Sequence, residues 1–338
     1  MAASIYDIAE KTGLSVVTVS RVLNNYPNVR ESNRRKVEAA IRELGFRPNA
    51  AARTLSNGRT GMVALVVPNP DDIFMSRVMS SVETALRKNG MFMVVTSAAK
   101  YTNFTDSICA ALFMEGRVDG FLILAPVDDS GYILEFKSRD IPVVLLDQYQ
   151  SNIQIPTVTV DNFLGGYEAT MSLIRGGAGR IAHISGSDAF DSSGERTRGF
   201  LRALEDSGVG IAEGLLVKGD FTVKCGYGAM VKWLQEDSLP DAVFAADDNT
   251  AFGVLDAARA YGIPVPQRLA VIGYDDHPLD SLLHPQLSTV RQPTEEIGAS
   301  GVQLLLDILE KKAGKVSKIV LEPSVILRET TKQPQGGR

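Results

Sequence analysis

Apolar residues recur at three- and four-residue intervals in three short stretches near the N-terminus, and further on gather into compact runs bounded by turns. The first spacing predicts amphipathic helices and the second predicts strands of a buried parallel sheet. In "SIYDIAEKTG" Ser4 is placed to cap a helix with Ile5, Ile8 and Ala9 on one face, and Gly13 stops it. Ser15 caps a second helix from Val16 to about Asn24, with Val19, Val22 and Leu23 as its buried stripe. "ESNRRKVEAAIRELG" gives a third, with Val37, Ala40, Ile41 and Leu44 inward and Gly45 as the stop. Beyond Met62 the runs "MVALVV", "MFMVV", "GFLIL" and "PVVLL" alternate with helical stretches that include Ser76–Lys88 and Thr105–Glu115. "RIAHIS", "DAVFAA" and "LAVIGY" continue the pattern, with helices near Glu195–Ser207, Tyr227–Gln235, Asn249–Tyr261 and Glu295–Lys311.

Two short helices joined through a glycine turn fit a helix-turn-helix, although this spacing alone also fits an ordinary helical bundle. Val17 separates the two. At about 100° per residue it falls opposite the buried stripe, beside Ser20, Arg21 and Asn24. An aliphatic side chain on an exposed polar face has a use in the major groove, where thymine presents a methyl group. Val17, with Val16 behind it, is the expected base contact, and Arg21 can fork onto a guanine.

Charge points the same way. The 338 residues carry a formal net charge of -5, yet residues 1–60 are at +5 and the remainder at -10. A small basic head on an acidic body implies that the head alone meets a polyanion. Cys109 and Cys225 are isolated from each other and from any Cys/His cluster, which suits a reducing cytosol. The N-terminus lacks the basic patch and apolar core of a signal peptide, and no apolar run reaches the ~18 residues of a membrane span, so a cytoplasmic location is expected. Between head and body, "RPNAAARTLSNGRTG" combines a helix-favouring Pro48 and alanines with a flexible end. It reads either as a plain linker or as a short helix that folds on a partner, with Leu55 free to wedge into a minor-groove base step.

Two successive strand–helix sets predict two doubly wound α/β lobes with a boundary near Thr159–Asp161. Ligands in such sheets sit beyond the carboxyl ends of the strands. Phe74, Asp147, Asp161, Asp247 with Asp248, and Asp275 with Asp276 occupy those ends. Arg196 starts a helix after a loop holding Phe190, and Phe221 lies in "GDF". Carboxylates, one arginine and aromatic rings suit a polyhydroxylated ligand. An aspartate at a strand end also commonly does no more than cap the next helix.

"IYDIAEKTGLSVVTVSRVLNN…VRESNRRKVEAAIRELGFRPNAAARTL" resembles the DNA-binding head and hinge of the lactose-repressor/purine-repressor family, and the likeness runs over nearly the whole chain. The resemblance implies that Ser4, Tyr6, Ser15, Val16, Val17, Ser20, Arg21, Asn24 and Asn33 face DNA, and that Asn49, Ala52 and Leu55 belong to a minor-groove hinge helix. It implies effector contacts at Ile73, Phe74, Asp147, Asp161, Phe190, Ser192, Arg196, Phe221, Asp247 and Asp275. Asp247 stands where sugar-binding members commonly carry asparagine. The likeness of the body to periplasmic sugar-binding proteins implies that the chain crosses between lobes again near Val290 and Pro323. The expected domains are therefore a head at 1–46, a hinge at 47–61 and an effector-binding, dimerising body at 62–338. Within the body, lobe 1 takes about 62–160 plus 292–323, and lobe 2 takes about 161–291 plus 324–330.

The sequence carries no phosphate loop, nucleophile elbow or zinc helix, and His183, His277 and His284 lack metal-ligand spacing, so neither an enzyme nor a metal or cofactor site is expected. His183 reads as a core strand residue. A solute-binding carrier would fit the body but leaves the basic head unexplained, and a nucleoside- or purine-responsive regulator is the nearer alternative. The expected protein is a cytoplasmic, homodimeric transcriptional regulator, a repressor on a palindromic operator, controlled by a carbohydrate effector held between two lobes.

Overall fold

A computed structural model describes residues 3–23, 26–46, 58–97, 108–126, 130–148, 154–312 and 318–332. Chain contacts divide it into two units, Met1–Gly61 and Met62–Arg338.

The first unit is three helices, α1 (Ile5–Thr12), α2 (Val16–Leu23) and α3 (Glu31–Leu44). Ser4 and Asp7 cap α1 reciprocally, since Ser4 N–H donates to the Asp7 carboxylate at 2.7 Å and Ser4 Oγ accepts from Asp7 N–H. Gly13 and Gly45 close α1 and α3 in the left-handed conformation that glycine adopts without a Cβ clash. Ile8, Ala9, Val19, Val22, Val37 and Ala40 form the core, edged by Ile5, Val16, Leu23, Ile41 and Leu44. The inward faces follow the 3.6-residue period. Lys11 also reaches Glu43 at 2.5 Å, tying α1 to α3.

The second unit contains two parallel sheets. The larger runs β11-β5-β4-β3-β1-β2 and comprises β1 (Met62–Val66), β2 (Phe92–Thr96), β3 (Gly120–Leu124), β4 (Val143–Leu146), β5 (Thr157–Val160) and β11 (Lys318–Leu321). The smaller runs β7-β6-β8-β9 and comprises β6 (Ile181–Ile184), β7 (Leu216–Val217), β8 (Ala242–Ala245) and β9 (Ala270–Ile272). Strands β10 (Thr289–Arg291) and β12 (Ser324–Ile326) pair antiparallel to each other. Helices cover both faces of each sheet, so the strands are apolar on both sides and alternate residues enter different cores. In the first sheet Val63, Leu65, Leu122 and Leu124 pack with α4 (Ile73–Lys88) and α11 (Thr294–Leu309). Ala64, Val66, Phe121 and Ile123 pack with α5 (Ile108–Met114) and α6 (Ser130–Ser138) on the reverse. In the second, Ile181, Phe244 and Ile272 meet α7 (Asn162–Arg175) and α8 (Asp191–Asp206). Ala182, Ile184, Val243 and Val271 meet α9 (Val223–Gln235) and α10 (Asp248–Ala260). His183 lies fully buried on β6, bonded to Phe244 O and Thr197 Oγ1, and burial pushes its imidazole down to about 4.

Several boundaries differ from the sequence reading. Helix α4 begins at Ile73 rather than Ser76, because the Asp72 carboxylate accepts from Met75 N–H at 2.9 Å and opens the helix earlier. Helix α8 begins at Asp191, which places Arg196 in its second turn rather than at its start. Thr222 and Asp247 cap α9 and α10 in the same way. The strands that the apolar runs did not single out, β5, β7, β10, β11 and β12, either contain polar residues, as in "TVTV", "TVR", "KIVL" and "SVI", or span only two residues, so no continuous apolar run marks them.

Helices α7 and α8 are in close contact, and glycine makes that possible. A Cβ on Gly199 would lie 2.1 Å from Phe163 O and 2.6 Å from Tyr167 N, backbone atoms that no rotamer change can move. Gly194, also on α8, faces open space. Gly199→Ala is therefore expected to lower unfolding stability by about 1–3 kcal/mol, read as a reduced urea midpoint. Gly194→Ala should leave the midpoint unchanged or raise it slightly through helix propensity.

Candidate functional site

Two surfaces carry the sequence-predicted residues. On the head, the buried side of α2 leaves Val17 60% exposed, with Arg21 exposed one turn further along the same face. Ser15 caps α2, since its Oγ accepts from Thr18 N–H at 3.2 Å. Val16 is half-buried against the head core, so its side chain is shared between packing and the surface. Ser20 on α2 and Asn33 on α3 are half-buried, Tyr6 on α1 is 70% exposed, and Ser4 is occupied by its capping box. Asn24, Asn49, Ala52 and Leu55 lie outside the described residues.

In the body, one cavity of about 370 Å³ is lined by Ile73, Phe74, Asp147, Phe190, Ser192, Arg196, Phe221, Asp247 and Asp275, nine of the ten predicted effector residues. Asp161 is the exception. Its carboxylate accepts from Leu164 N–H at 2.8 Å and caps α7, the simpler use of an aspartate after a strand. Sequence reasoning missed Asp71, Asp72, Asp220, Asn249 and His277, which also line the cavity. The available signal for Asp72 was a cap-type residue directly ahead of the helical run that starts at Ile73.

Arg196 is buried at the centre. Its Nε donates to Asn162 Oδ1 at 2.8 Å and Nη1 to Ala246 O at 2.6 Å, while Nη2 lies 3.7 Å from Asp275 Oδ1. The guanidinium stacks on Tyr274, 3.6 Å from the ring centroid. Burial works against its charge, and Asp275, Tyr274, Asp147 and Asp247 more than restore it. Asp275 also accepts from Gln292 Nε2 at 2.6 Å. Burial pushes the Asp275 carboxyl up to about 6 against the pull of Arg196, with Asp247 and Asp72 adding to the rise. Asp147 is pushed up to about 7 by burial, Arg196 again opposing and Asp275 adding. Asp247 is raised chiefly by burial. The neighbours of two cleft residues point elsewhere: Asp248 accepts from Thr289 Oγ1 and His277 N–H, and Asp276 accepts from Arg328 and Arg291.

Phe221 and Phe190 meet edge to face, their centroids 5.9 Å apart, and form an apolar wall. Phe221 adopts φ 64°, and its ring occupies the space where a Cβ on Gly186 would be, 1.9 Å away. A cavity with charged groups at one end and a ring wall beside them can hold hydroxyls at the first and a sugar face against the second.

Residues 4–49 match the family model of bacterial regulatory proteins, lacI family, and residues 170–331 match that of a periplasmic binding protein-like domain. Catabolite control protein A of Priestia megaterium is 33% identical over 98% of this chain and 100% of its own length. The chain belongs to the lacI family. Among solved structures, a complex of the transcriptional regulator CelR with cellobiose is 32% identical, with a TM-score of 0.74 over 97% of this chain and 99% of that one. A Lac repressor dimer bound to operator and an anti-inducer is 25% identical, with a TM-score of 0.86 over 98% and 99%. This lacI-family protein is thus a DNA-binding transcriptional regulator with a helix-turn-helix head and an α/β body; the relatives are regulators rather than enzymes. The carrier alternative is not favoured, because the likeness takes in the head as well as the body. Among the described residues no helix is long and apolar enough to cross a membrane, and no group of three or more His, Cys, Asp or Glu is arranged to hold a metal ion.

The raised carboxyls fix the sign of a pH dependence. Folded protein holds protons at Asp147 and Asp275 that the unfolded chain releases near the ordinary aspartate value. That contribution is full below about pH 4 and is lost as pH rises through about 6 to 7. The urea midpoint of the ligand-free protein should therefore fall between pH 5 and 8. Asp147→Asn should flatten the upper part of that slope.

Proposed function

We propose that this regulator is a cytoplasmic homodimeric repressor whose grip on a palindromic operator is set by a polyhydroxylated small molecule in the body cavity. Nine predicted contacts lining one cavity around the buried Arg196 are the observation that carries the effector reading. The cellobiose held by its structural relative supports a carbohydrate, and the operator-bound dimer of another supports the two-fold assembly.

On the DNA side, α2 enters the major groove, where Val17 meets a thymine methyl and Arg21 a guanine edge. Tyr6, Ser20 and Asn33 hold the head to the backbone, and Asn49, Ala52 and Leu55 contact the minor groove. On the effector side, Asp275 accepts and Arg196 donates to ligand hydroxyls, Ser192, Asp147 and Asp247 add polar contacts, and Ile73, Phe74, Phe190 and Phe221 cover the apolar face. Ligand binding favours one arrangement of the body, and the head is affected to the extent that the arrangements differ in ligand affinity.

Selection of random DNA by the full-length protein should return a palindrome. Arg21→Ala should weaken binding to it by about 1–3 kcal/mol and relax one symmetric position. Val17→Ala should cost less and act at a thymine. An unchanged motif and affinity for Arg21→Ala would remove that residue from base recognition. Titrating the selected operator complex with mono- and disaccharides then tests the effector reading: at least one should change operator affinity, and Asp275→Asn should blunt that response.

A further inference from the structure

Six aspartates line the cavity: Asp71, Asp72, Asp147, Asp220, Asp247 and Asp275. Against them, among the described residues, the lining offers one permanent cation, Arg196, which gives one N–H each to Asn162 and Ala246 O and keeps Nη2 3.7 Å from Asp275. His277 adds no second charge: its Nδ1 accepts from Leu279 N–H, and burial with Arg77 nearby lowers its basicity. Arg77 itself donates to the backbone carbonyls of Asp275 and Asp276 and is not part of the lining.

Most of these carboxylates have structural partners for one oxygen. Asp72 and Asp247 cap helices, Asp220 accepts from Thr222, and Asp275 accepts from Gln292. Asp147, at the end of β4 and 8% exposed, has Asn162 beside its carboxyl, yet its Oδ1 is a buried atom with no hydrogen-bond partner in a residue that lines the cavity. A buried carboxylate oxygen left without a donor is costly and marks a place where a ligand donor belongs.

A neutral sugar can donate hydroxyls to these groups but brings no charge. When a ligand displaces water, carboxyls that lose their solvation either hold protons, as Asp147 and Asp275 do at low pH in the free protein, or release them to a counter-charge that the ligand supplies. A metal ion is not favoured, since the carboxylates are spread around the cavity rather than gathered within one coordination radius among the described residues. An ammonium group meets the requirement: it is a compact charge with three donors and no acceptor, matched to acceptor-only partners.

We propose that the effector is a polyhydroxylated compound bearing a protonated amine, an amino sugar in the simplest case, with its ammonium on Asp147 and its hydroxyls on Arg196 and Asp275. This rests on the reading of the cavity as an effector site. It adds a charge requirement that neutral sugars do not satisfy.

The test is calorimetry on the full-length protein with matched pairs: glucose and glucosamine, galactose and galactosamine, mannose and mannosamine, with N-acetylglucosamine and calcium chloride as controls. At least one amine is expected to bind ten-fold or more tighter than its neutral partner. N-acetylation should abolish the gain, and calcium should not reproduce it. Asp147→Asn should reduce the amine-to-neutral ratio towards one, and Asp247→Asn should reduce it in part. Each pair is also titrated against the selected operator complex. An amine that binds the cavity but leaves operator affinity unchanged sustains the charge requirement and sinks the effector reading. Equal affinity within every pair, binding by neutral members alone, no binding by any amine, or an equal response to calcium overturns the charge requirement. A neutral sugar that shifts operator affinity would do so while leaving the effector reading intact.

Discussion

A guanidinium removed from water at Arg196 constrains everything around it. Its charge cannot be left unpaired in the interior, so neighbouring elements are arranged to surround it: Asn162 from the first turn of α7, the Ala246 carbonyl after β8, and Tyr274 and Asp275 after β9. The Tyr274 ring in turn requires Gly165, where a Cβ would fall 2.2 Å from the phenol oxygen. Gly166 lets α7 approach the Arg196 backbone itself, at a distance that a Cβ would close to 2.2 Å from the carbonyl. Small residues on α7 and a charged one on α8 therefore belong to a single packing solution. Breaking a pair of this kind by deleting one partner typically costs about 3–5 kcal/mol, far more than a surface contact. A conservative change at Asp275 is consequently more informative about ligand binding than truncation of Arg196.

The cavity is also where backbone strain collects. Ala125, Asp147, Phe221 and Asp275 all line it and all have positive φ, from 40° to 106°, without being glycine. Each follows a strand or stands ahead of a helix, where the chain must turn sharply to bring a side chain over the sheet end. Such conformations persist only where the surroundings over-determine them. Here the parallel ladders supply that rigidity: Ala125 N–H donates to Leu146 O and Asp147 N–H to Val158 O, anchoring both turns to adjacent strands.

What the sequence disclosed follows from the length scale of each signal. Helices α1 to α3 and the long apolar strands were legible because burial on one or both faces imposes a period over several residues. Val17 was legible for the opposite reason, as an aliphatic residue off that period. The positions lining the cavity could be inferred because a parallel sheet places its carboxyl ends together, and a strand followed by Asp or Phe can be read directly. The place of Arg196 in the second turn of α8 was not read, since the serines and glycine of "DSSGER" resemble a loop and no side-chain cap marks the helix start at Phe190. Asp161 stands apart because capping and cavity lining use the same residue type at a strand end: Asp247 does both, while Asp161 caps α7 and is absent from the lining. Asp72 and Asp220 escaped notice because they reach the cavity from loops, where no period operates.

The paired aspartates show how the body resolves two demands at one strand end. Asp247 and Asp275 face the cavity, while Asp248 and Asp276, one residue on, are buried against the crossover segments. Asp248 holds Thr289 on β10, and Asp276 holds Arg291 on β10 and Arg328 beyond β12, where the Arg328 contact keeps its carboxyl low despite burial. Asp275 N–H also donates to Val290 O, so the same backbone turn is bonded to the crossover on one side and presents its carboxylate to the cavity on the other. Asp275 cannot shift to meet a ligand without straining the Val290 bond and the Asp276 ion pairs. A cavity built on independent loops could absorb such a shift locally. Here the rigid attachment transmits it to β10 and β12, the strands through which the chain passes between its two sheets.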